Sequence, residues 1–314
     1  MRARLLPSFT AFLLMLVAPA AMAEVKVVAS IKPVHSLVAA VMAGAGEPDL
    51  IVEGASSPHD FALKPSQARL LEQADLVFWV GHELEAFLEK PLETIAARAR
   101  SVELIDAEGL HLRQFEEPVE VAGEAEHAEE EEGDHHHHHE GTDGHIWLDA
   151  QNARAMVAAI ADALAQADPG NAALYRSNAA ATAGRLDALD REITDRLAPL
   201  GDRPYVTFHD AYGYFERRYG LAAGASITLS PEVMPGAERI TAIRARLRAD
   251  DTPCVFSEPQ FEPKLIRTVT EDTHARTATL DPLGASLADG PDLYFDLMND
   301  IADTMVDCLS SARG

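Results

Sequence analysis

The sequence predicts an α/β fold of two lobes, each with a mostly parallel sheet flanked by helices, joined by one long rigid helix. Two observations carry this prediction. Short β-rich runs alternate with helical patterns in both halves of the chain, which is typical of parallel sheets with helices on their faces. Between the halves lies one long Ala-, Leu- and Arg-rich helical pattern. The 314 residues suffice for two lobes with separate cores.

The N-terminal segment, residues 1–23, has the pattern of a secretory signal peptide. Arg2 and Arg4 precede an apolar run over residues 9–18, and Ala21-Met22-Ala23 has the small-x-small pattern of a cleavage site. The apolar run is too short for a comfortable membrane span, although an uncleaved anchor is the alternative. The residue directly after the segment is Glu24 and not a Cys that could carry a lipid. We therefore expect a soluble protein exported to the periplasm.

The predicted first lobe covers residues 24–168. Buried β-rich runs such as VKVVAS and LVFWV indicate its strands, and Ala-rich amphipathic stretches indicate its helices. Asp149 or Asn152 is the expected N-cap of its last helix. The predicted strands are 25–30, 49–53, 76–80 and 102–105, and the predicted helices are 33–44, 65–74, 83–98 and 152–167.

The predicted linking segment covers residues 169–201, and the second lobe covers residues 202–314. A single helix over 171–197 lies between two turn signals, Asp168-Pro169-Gly170 and Pro199-Leu200-Gly201, and would span roughly 40 Å. Strand–helix alternation then restarts. The predicted strands are 205–208, 222–227, 254–257 and 277–280, and the predicted helices are 211–219, 236–248, 263–272 and 292–309.

An acidic, His-rich loop, residues 116–143, interrupts the first lobe. It holds twelve Asp or Glu and no Lys or Arg, and its histidines include five in a row. Imidazoles with adjacent carboxylates favour zinc, copper or nickel, so the loop predicts a secondary metal site, the alternative being a solvated loop whose His content is accidental. Its candidate ligands are His127, His135, His136, His137, His138 and His139. The formal net charge of −25 argues against nucleic acid or anionic membranes as partners and suits the attraction of cations.

Two cysteines, Cys254 and Cys308, are the only ones in the chain. An even number in an oxidising compartment predicts one disulfide. Two buried free thiols, or thiolate ligands to a metal, are the alternatives.

Four side chains at predicted strand ends suggest a primary metal site. His59 follows a strand, His145 opens the ordered chain after the acidic loop, and His209 and Asp281 each end a strand. Because ligands bind at the carboxyl ends of parallel strands, we expect these groups to meet in the cleft between the lobes. Three neutral imidazoles with a carboxylate or a water make a tetrahedral zinc site. Taken singly, a His at a strand end is more often a solvated or capped loop residue.

Two neighbouring carboxylates, Asp60 and Asp210, are the expected acceptors for the ring N–H groups of the ligand histidines. The remaining histidines outside the loop are excluded from the predicted site. They are His35, His82, His111 and His274.

Five motifs together resemble the metal-binding cluster of ABC-importer solute-binding proteins. They are GASSPHDFALKPS (54–66), ADLVFWVGHELEAF (74–87), HIWLD (145–149), TFHDAY (207–212) and TLDPLG (279–284). The His-rich insertion just before HIWLD is similar to that of the zinc-specific, ZnuA-like branch. The resemblance covers essentially the whole mature chain, and it implies two α/β lobes joined by a long helix with Zn²⁺ in the cleft.

The resemblance assigns ligand roles to His59, His145 and His209. Some members of the family use an acidic residue just before the first His, where this chain has Pro58. Asp281 or a water is then left as the fourth ligand. Members also share a disulfide in the second lobe, which matches the two cysteines here.

The expected function is therefore periplasmic zinc capture and delivery to the membrane permease of a zinc ABC importer, by a monomer that is not an enzyme. A periplasmic zinc chaperone is a further candidate partner. A manganese- or iron-binding relative is the nearest alternative, but it would be expected to have Glu in place of His209. A secreted zinc hydrolase would share the three-ligand site, yet the chain has no HExxH motif. A surface adhesin is the third alternative, and the missing lipid-anchor Cys argues against it.

Overall fold

The computed structural model describes residues 25–115 and 141–310, except positions 223, 229, 230, 232, 233, 250, 251 and 263. The predicted signal peptide lies outside the described residues. So do residues 116–140, which contain all the candidate ligands of the acidic loop, namely His127 and His135 to His139.

The first lobe contains a sheet of four parallel strands in the order β2-β1-β3-β4. The two central strands are buried along their whole length, which explains why their sequences are apolar runs and do not alternate. The strands are β1 (Val27–Ile31), β2 (Asp49–Val52), β3 (Leu76–Trp79) and β4 (Arg100–Glu103).

Helices surround this sheet, and three short 3₁₀ segments connect them at Ala86–Leu88, Leu104–Asp106 and Ile146–Leu148. Asp149 caps the last helix, because its carboxylate accepts a hydrogen bond from the backbone N–H of Gln151 at 2.8 Å. The helices are α1 (Lys32–Met42), α2 (Pro65–Gln73), α3 (His82–Glu85), α4 (Glu89–Thr94) and α5 (Ala150–Ala167).

The single helix predicted over 83–98 is wrong. The structure has α3, one 3₁₀ turn and α4 in its place. Pro91 gives the physical reason, because it lacks the N–H that would bond to the carbonyl of Phe87 and its ring would collide with that carbonyl. Pro91 is tolerated in the first turn of α4, where an N–H has no helical partner in any case.

The second lobe repeats the arrangement with a parallel sheet in the order β6-β5-β7-β8. The strands are β5 (Tyr205–His209), β6 (Ala225–Thr228), β7 (Cys254–Ser257) and β8 (Arg276–Thr279). One further helix between the lobes, α6 (Ala172–Leu197), is described below. The helices of the second lobe are α7 (Gly213–Tyr219), α8 (Ala237–Ala249), α9 (Lys264–Thr270) and α10 (Leu293–Ser310).

The predicted long helix is present as α6, which has 26 residues and joins the two lobes. It packs against α1 and α5 of the first lobe and against α7 and α10 of the second. At one end Asn178 donates to the carbonyls of Val41 and Ala43, both at 2.9 Å. At the other end Arg196 donates to Asn299 Oδ1 at 2.7 Å. These contacts hold the helix against both lobes.

The lobes also share a buried interface. One apolar cluster runs from the first sheet through α6 into β7 and α10 of the second lobe. Within it, Trp147 Nε1 donates to the carbonyl of Pro282 at 2.8 Å, and the hydroxyl of Tyr294 donates to the carbonyl of Trp147 at 2.7 Å. The backbone N–H of Tyr294 donates to Ser36 Oγ at 2.9 Å. A smaller separate cluster lies between the second sheet and α8 and α9.

The predicted disulfide is confirmed. Cys254 at the start of β7 is bonded to Cys308 in α10, with 6.1 Å between their Cα atoms, and both residues are buried. The bond ties the last helix to the second sheet, and it excludes free thiols or thiolate metal ligands as alternatives.

Within the part of the chain that the structure describes, no helix is long and apolar enough to cross a membrane.

Candidate metal centre

The three histidines predicted to meet do lie together. His59 is in the loop after β2, His145 immediately precedes the 3₁₀ turn Ile146–Leu148, and His209 is the last residue of β5. One ring nitrogen from each lies within 4.8 Å of the others. This is the one group among the described residues that has the makeup of a metal site, and the four histidines excluded above are not in it.

The spacing of the rings suits a single small cation. The Nε2 atoms of His145 and His209 are 3.3 Å apart, and the ring centroids of the three pairs are 5.2, 5.3 and 5.7 Å apart. Tetrahedral zinc with Zn–N bonds of about 2.0–2.1 Å requires an N–N separation of about 3.3–3.4 Å. The nitrogens of His145 and His209 therefore already have the separation of two zinc ligands.

Asp143 orients His145. Its Oδ1 lies 2.7 Å from the Nδ1 of His145 and accepts the backbone N–H of the same residue at 3.0 Å. Burial alone would raise the pKa of the Asp143 carboxyl, but His145 and Arg113 outweigh burial and lower that pKa. An ionised Asp143 accepts a hydrogen bond from the Nδ1–H of His145, so the lone pair of His145 is on Nε2, which faces His209.

Glu258 orients His209 in the same way. Its Oε1 and Oε2 lie 2.8 and 2.7 Å from the Nδ1 of His209, and its side chain is 1% exposed. Burial alone would lower the pKa of His209, but the charge of Glu258 and its hydrogen bond raise it above the ordinary value. The Nδ1–H is therefore retained, and Nε2 is the nitrogen that presents a lone pair to the centre.

His59 is less buried than the other two histidines, and it stays neutral for a different reason. Burial, followed by repulsion from His145 and His209, lowers its pKa to about 2. Its ring is therefore uncharged at neutral pH, which is the form that binds a metal.

The predicted acceptors Asp60 and Asp210 are not the partners of the histidines. Asp60 is exposed, and Asp210 accepts two hydrogen bonds from Arg113 at 3.1 Å. At the end of β5, neighbouring side chains point to opposite sides, so Asp210 is poorly placed to reach the ring of His209. Asp143 and Glu258 take the predicted role in their place.

Asp281 is not brought into the group of ring nitrogens. Its Oδ1 accepts the backbone N–H groups of Leu283 and Gly284 at 3.1 and 3.0 Å and the Nε2 of Gln260 at 2.9 Å. Its Oδ2 accepts the N–H of Ala285. An Asp before Pro in a turn commonly caps the following backbone in this way, and the carboxylate is engaged there and not at the histidines.

The histidines line a small cavity of about 10 Å³, which is close to the least room that one water requires. Its walls are mostly apolar, so a bound ion would be separated from bulk water. There is space for one ion and its closest ligand, and not for an organic substrate. The other lining residues are Ser57, Pro58, Trp147, Glu258, Gln260, Phe261, Pro282 and Leu283.

The two ends of the predicted acidic loop meet beside this centre. Gln114 and Thr142 form an antiparallel bridge, and Asp143 N–H donates to the carbonyl of Arg113 at 2.9 Å. The hydroxyl of Tyr214 in α7 accepts the N–H of Arg113 at 3.0 Å and donates to the carbonyl of Asp143 at 2.8 Å. We call residues 113–115 and 141–143 the stem. The stem thus contains both loop ends and Asp143, and through Tyr214 it contacts the second lobe.

Comparisons with known proteins identify the family of this chain. The profile of the family described as "ZnuA: Zinc-uptake complex component A periplasmic" matches residues 27–308. A high-affinity zinc uptake system protein ZnuA from Brucella suis biovar 1 (strain 1330) is 49% identical over 307 residues, covering 90% of this chain and 91% of that protein. The protein of the same name from Paracoccus denitrificans (strain Pd 1222) is 38% identical, covering 93% and 94%.

Solved structures show the same fold. A crystal structure of ZnuA superposes with a TM-score of 0.73 at 24% identity, covering 89% of this chain and 98% of that one. The laminin-binding protein Lmb of Streptococcus agalactiae, described as a bifunctional protein with adhesin and metal transporting activity, gives 0.74 at 22% identity, covering 91% and 99%.

Proposed function

The chain belongs to the ZnuA family of periplasmic zinc-uptake components, and from this premise we propose that it binds Zn²⁺ through His59, His145 and His209 and delivers it to the membrane permease of a zinc ABC importer. Zinc is the cargo here. The observation that carries the proposal is the convergence of three imidazole nitrogens within 4.8 Å, two of them on rings whose other nitrogen is held by a buried carboxylate.

The donor set favours zinc over manganese. Mn²⁺ prefers oxygen ligands, whereas imidazole suits zinc. A manganese- or iron-carrying relative would need an additional carboxylate at the ion. Asp143 and Glu258 each face the Nδ1 atom of a histidine, and among the described residues no carboxylate joins the three ring nitrogens.

Binding without catalysis is the proposed activity. A zinc hydrolase also uses three protein ligands and an open position, but it requires room for its substrate and a free general base. The cavity here is lined by Trp147 and Phe261 and has a volume of about 10 Å³, and its one lining carboxylate, Glu258, contacts the Nδ1 of His209.

The acidic loop is proposed as a secondary zinc site, with His127 and the run His135 to His139 as its ligands. Support comes from its composition and from the position of its two ends, which meet in the stem next to Asp143. Zinc collected there would be released close to the centre. We further propose that the mature protein acts in the periplasm as a monomer, with the permease and a zinc chaperone as its partners.

The test is calorimetric titration of Zn²⁺ into the mature protein and into a variant lacking residues 116–140. We expect one tight site in both proteins and additional weaker sites in the intact protein alone. A deletion variant that stays folded and has lost the tight site would show that the loop, and not the three histidines, is the primary site.

A further inference from the structure

The fourth position around the ion has no assigned occupant. Three imidazoles fill three corners of a tetrahedron, and zinc normally takes a fourth ligand. Among the described residues, no carboxylate joins the three ring nitrogens. The inference below rests on the proposed zinc site and concerns how its fourth corner is completed.

The amide of Gln260 has an orientation that its neighbour dictates. Its nitrogen lies 2.9 Å from Asp281 Oδ1, and a carboxylate engaged by three backbone N–H groups acts as an acceptor. The NH₂ group of Gln260 must therefore face Asp281, and Oε1 must face the other way. The position of the amide oxygen thus follows from the hydrogen bonds of Asp281.

This amide oxygen is buried and has no hydrogen-bond partner in the structure. Gln260 lines the same cavity as the three histidines. A buried acceptor without a donor costs about 1–3 kcal/mol, so a donor in the cavity would stabilise the arrangement. Glu258 Oε2 is a second buried oxygen in this wall without a hydrogen bond, but it lies 2.7 Å from the Nδ1 of His209, so its charge is directed at that ring.

A zinc-bound water is a suitable donor. The ion makes bound water far more acidic than bulk water and therefore a stronger hydrogen-bond donor. The cavity volume of about 10 Å³ is close to the least room that one water requires, so a single water fits beside the three ring nitrogens and a larger ligand does not. We propose that a water completes the zinc coordination by donating a hydrogen bond to Gln260 Oε1, while Gln260 Nε2 holds the Asp281 carboxylate away from the ion.

Gln260 is thus a specificity-determining positioning residue. It selects a neutral oxygen ligand for the fourth corner, while its amide nitrogen holds the carboxylate of Asp281. Replacing the amide by a carboxylate reverses both effects, because Glu repels Asp281 and offers an anionic oxygen to the ion. Hard cations such as Mn²⁺ prefer that kind of ligand.

The test compares Gln260→Leu with Gln73→Leu, a matched change at an exposed Gln in α2, in the full mature chain. Chelator competition reports the tightest Zn²⁺ site, and the visible spectrum of the protein with one equivalent of Co²⁺ reports its coordination. We expect Gln260→Leu to weaken zinc binding by about tenfold, as for a lost hydrogen bond to a charged centre, and to change the Co²⁺ spectrum. Gln73→Leu should change neither.

Two further variants keep the outcome decisive. Asp281→Asn retains an acceptor oxygen for the turn, so it should keep zinc affinity within about threefold if Asp281 is not a ligand. Gln260→Asn withdraws the amide oxygen from the cavity and replaces the Leu variant if that one does not fold. The inference is overturned if the folded Gln260 variants bind Zn²⁺ and Co²⁺ as the parent does, or if Asp281→Asn loses zinc binding by more than tenfold. His209→Ala distinguishes a failure of this inference from a failure of the proposed zinc site. If His209→Ala loses zinc affinity and the Gln260 variants do not, only the water-holding role of Gln260 is rejected. If neither His209→Ala nor the Gln260 variants lose zinc affinity, the three-histidine site is rejected.

Discussion

Asp143 Oδ1 lies 2.7 Å from His145 Nδ1, and the same Asp143 is the last residue of the acidic loop. One carboxylate therefore serves two structures. It orients a proposed zinc ligand, and through Arg113 it belongs to the stem from which the loop departs. The orientation of His145 consequently depends on the integrity of the stem.

Replacing Asp143 by Asn should weaken zinc binding without removing a ligand. An amide can present its NH₂ to Nδ1 and so stabilise the wrong tautomer, with the proton on the nitrogen that faces the ion. Loss of a carboxylate behind a ligand His typically costs about 10–100-fold in metal affinity, and we expect a value in that range by chelator competition. Asp60→Asn, at an exposed carboxylate next to His59, is the control. Equal effects of the two variants would contradict the role of Asp143.

Removing any one of His59, His145 and His209 by substitution with Ala should weaken the tight zinc site by more than about tenfold, or about 1.4 kcal/mol. The expected loss follows from the convergence of their ring nitrogens. His82→Ala is the matched control, because His82 is exposed and pairs with Glu89 in the neighbouring helix. A His variant with parental affinity would be removed from the ligand set.

Most of the fold could be predicted because its signals are local. Each apolar run such as LVFWV lies in a strand buried on both faces, and the turn signals around α6 mark its ends to within one or two residues. The helix predicted over 83–98 is interrupted because Pro91 lies within a pattern that otherwise has helical periodicity. The rule that ligands bind at the carboxyl ends of parallel strands correctly predicted that His59 and His209 lie together.

The partners of the histidines were harder to predict. Asp143 is one of twelve acidic residues in a run, and no pattern in that run distinguishes the one that is buried. Glu258 directly follows β7, so the rule that functional groups gather at the carboxyl ends of parallel strands applies to it as it does to His209. The sequence prediction instead placed Asp60 and Asp210 in this role, because they are adjacent to ligand histidines in the sequence. Asp281 lies at the correct edge, and its turn directs its carboxylate to the backbone.

Opening the Cys254–Cys308 bond should destabilise the second lobe. The bond closes a loop of 54 residues, for which the chain-entropy model gives about 4 kcal/mol. Chemical denaturation of a Cys254→Ser/Cys308→Ser double variant measures the loss against the parent protein. Thiol labelling of the denatured, unreduced protein should find no free cysteine, and two labelled thiols would contradict the assignment.

Zinc affinity should fall as the pH is lowered, and His209 should account for the first part of the decrease. Its pKa is raised by Glu258 against the opposing effect of burial, so protons compete with zinc from above the ordinary His value of about 6.5. His59 contributes nothing in this range, because its pKa is about 2.

The same pKa shifts determine how the stability of the zinc-free protein changes with pH. Protonated His209 stabilises the fold below pH 6.5, and this contribution is lost as the pH rises through its raised pKa. His59 acts in the opposite sense, because the unfolded chain takes up a proton on this histidine first as the pH falls below 6.5, which destabilises the fold.

Because protons compete with zinc for the histidines, titrations in buffers of different ionisation enthalpy should find proton release on zinc binding near neutral pH. An affinity that is constant from pH 5 to 7.5 would contradict a histidine site.

A single methyl group added at Gly213 should disturb the centre from a distance. A Cβ at this position, in the first turn of α7, would overlap the guanidinium of Arg113, which bridges Asp143 and Asp210. The displaced Arg113 would leave the buried Asp143 with one partner fewer, and the orientation of His145 would loosen. We expect Gly213→Ala to weaken zinc binding in the same direction as Asp143→Asn, by about tenfold.

Gly184 provides the matched control for this change. It lies in α6, and a Cβ there would meet nothing within 4 Å. Gly184→Ala should therefore leave zinc affinity unchanged and stabilise the protein by about 0.4–1 kcal/mol, because Ala loses less chain entropy in a helix. Zinc titration and thermal unfolding of both variants distinguish a specific displacement of Arg113 from a general intolerance of added methyl groups. If Gly213→Ala bound zinc as the parent does, Arg113 would have no part in orienting His145, and Asp143 would orient that histidine without the help of Arg113.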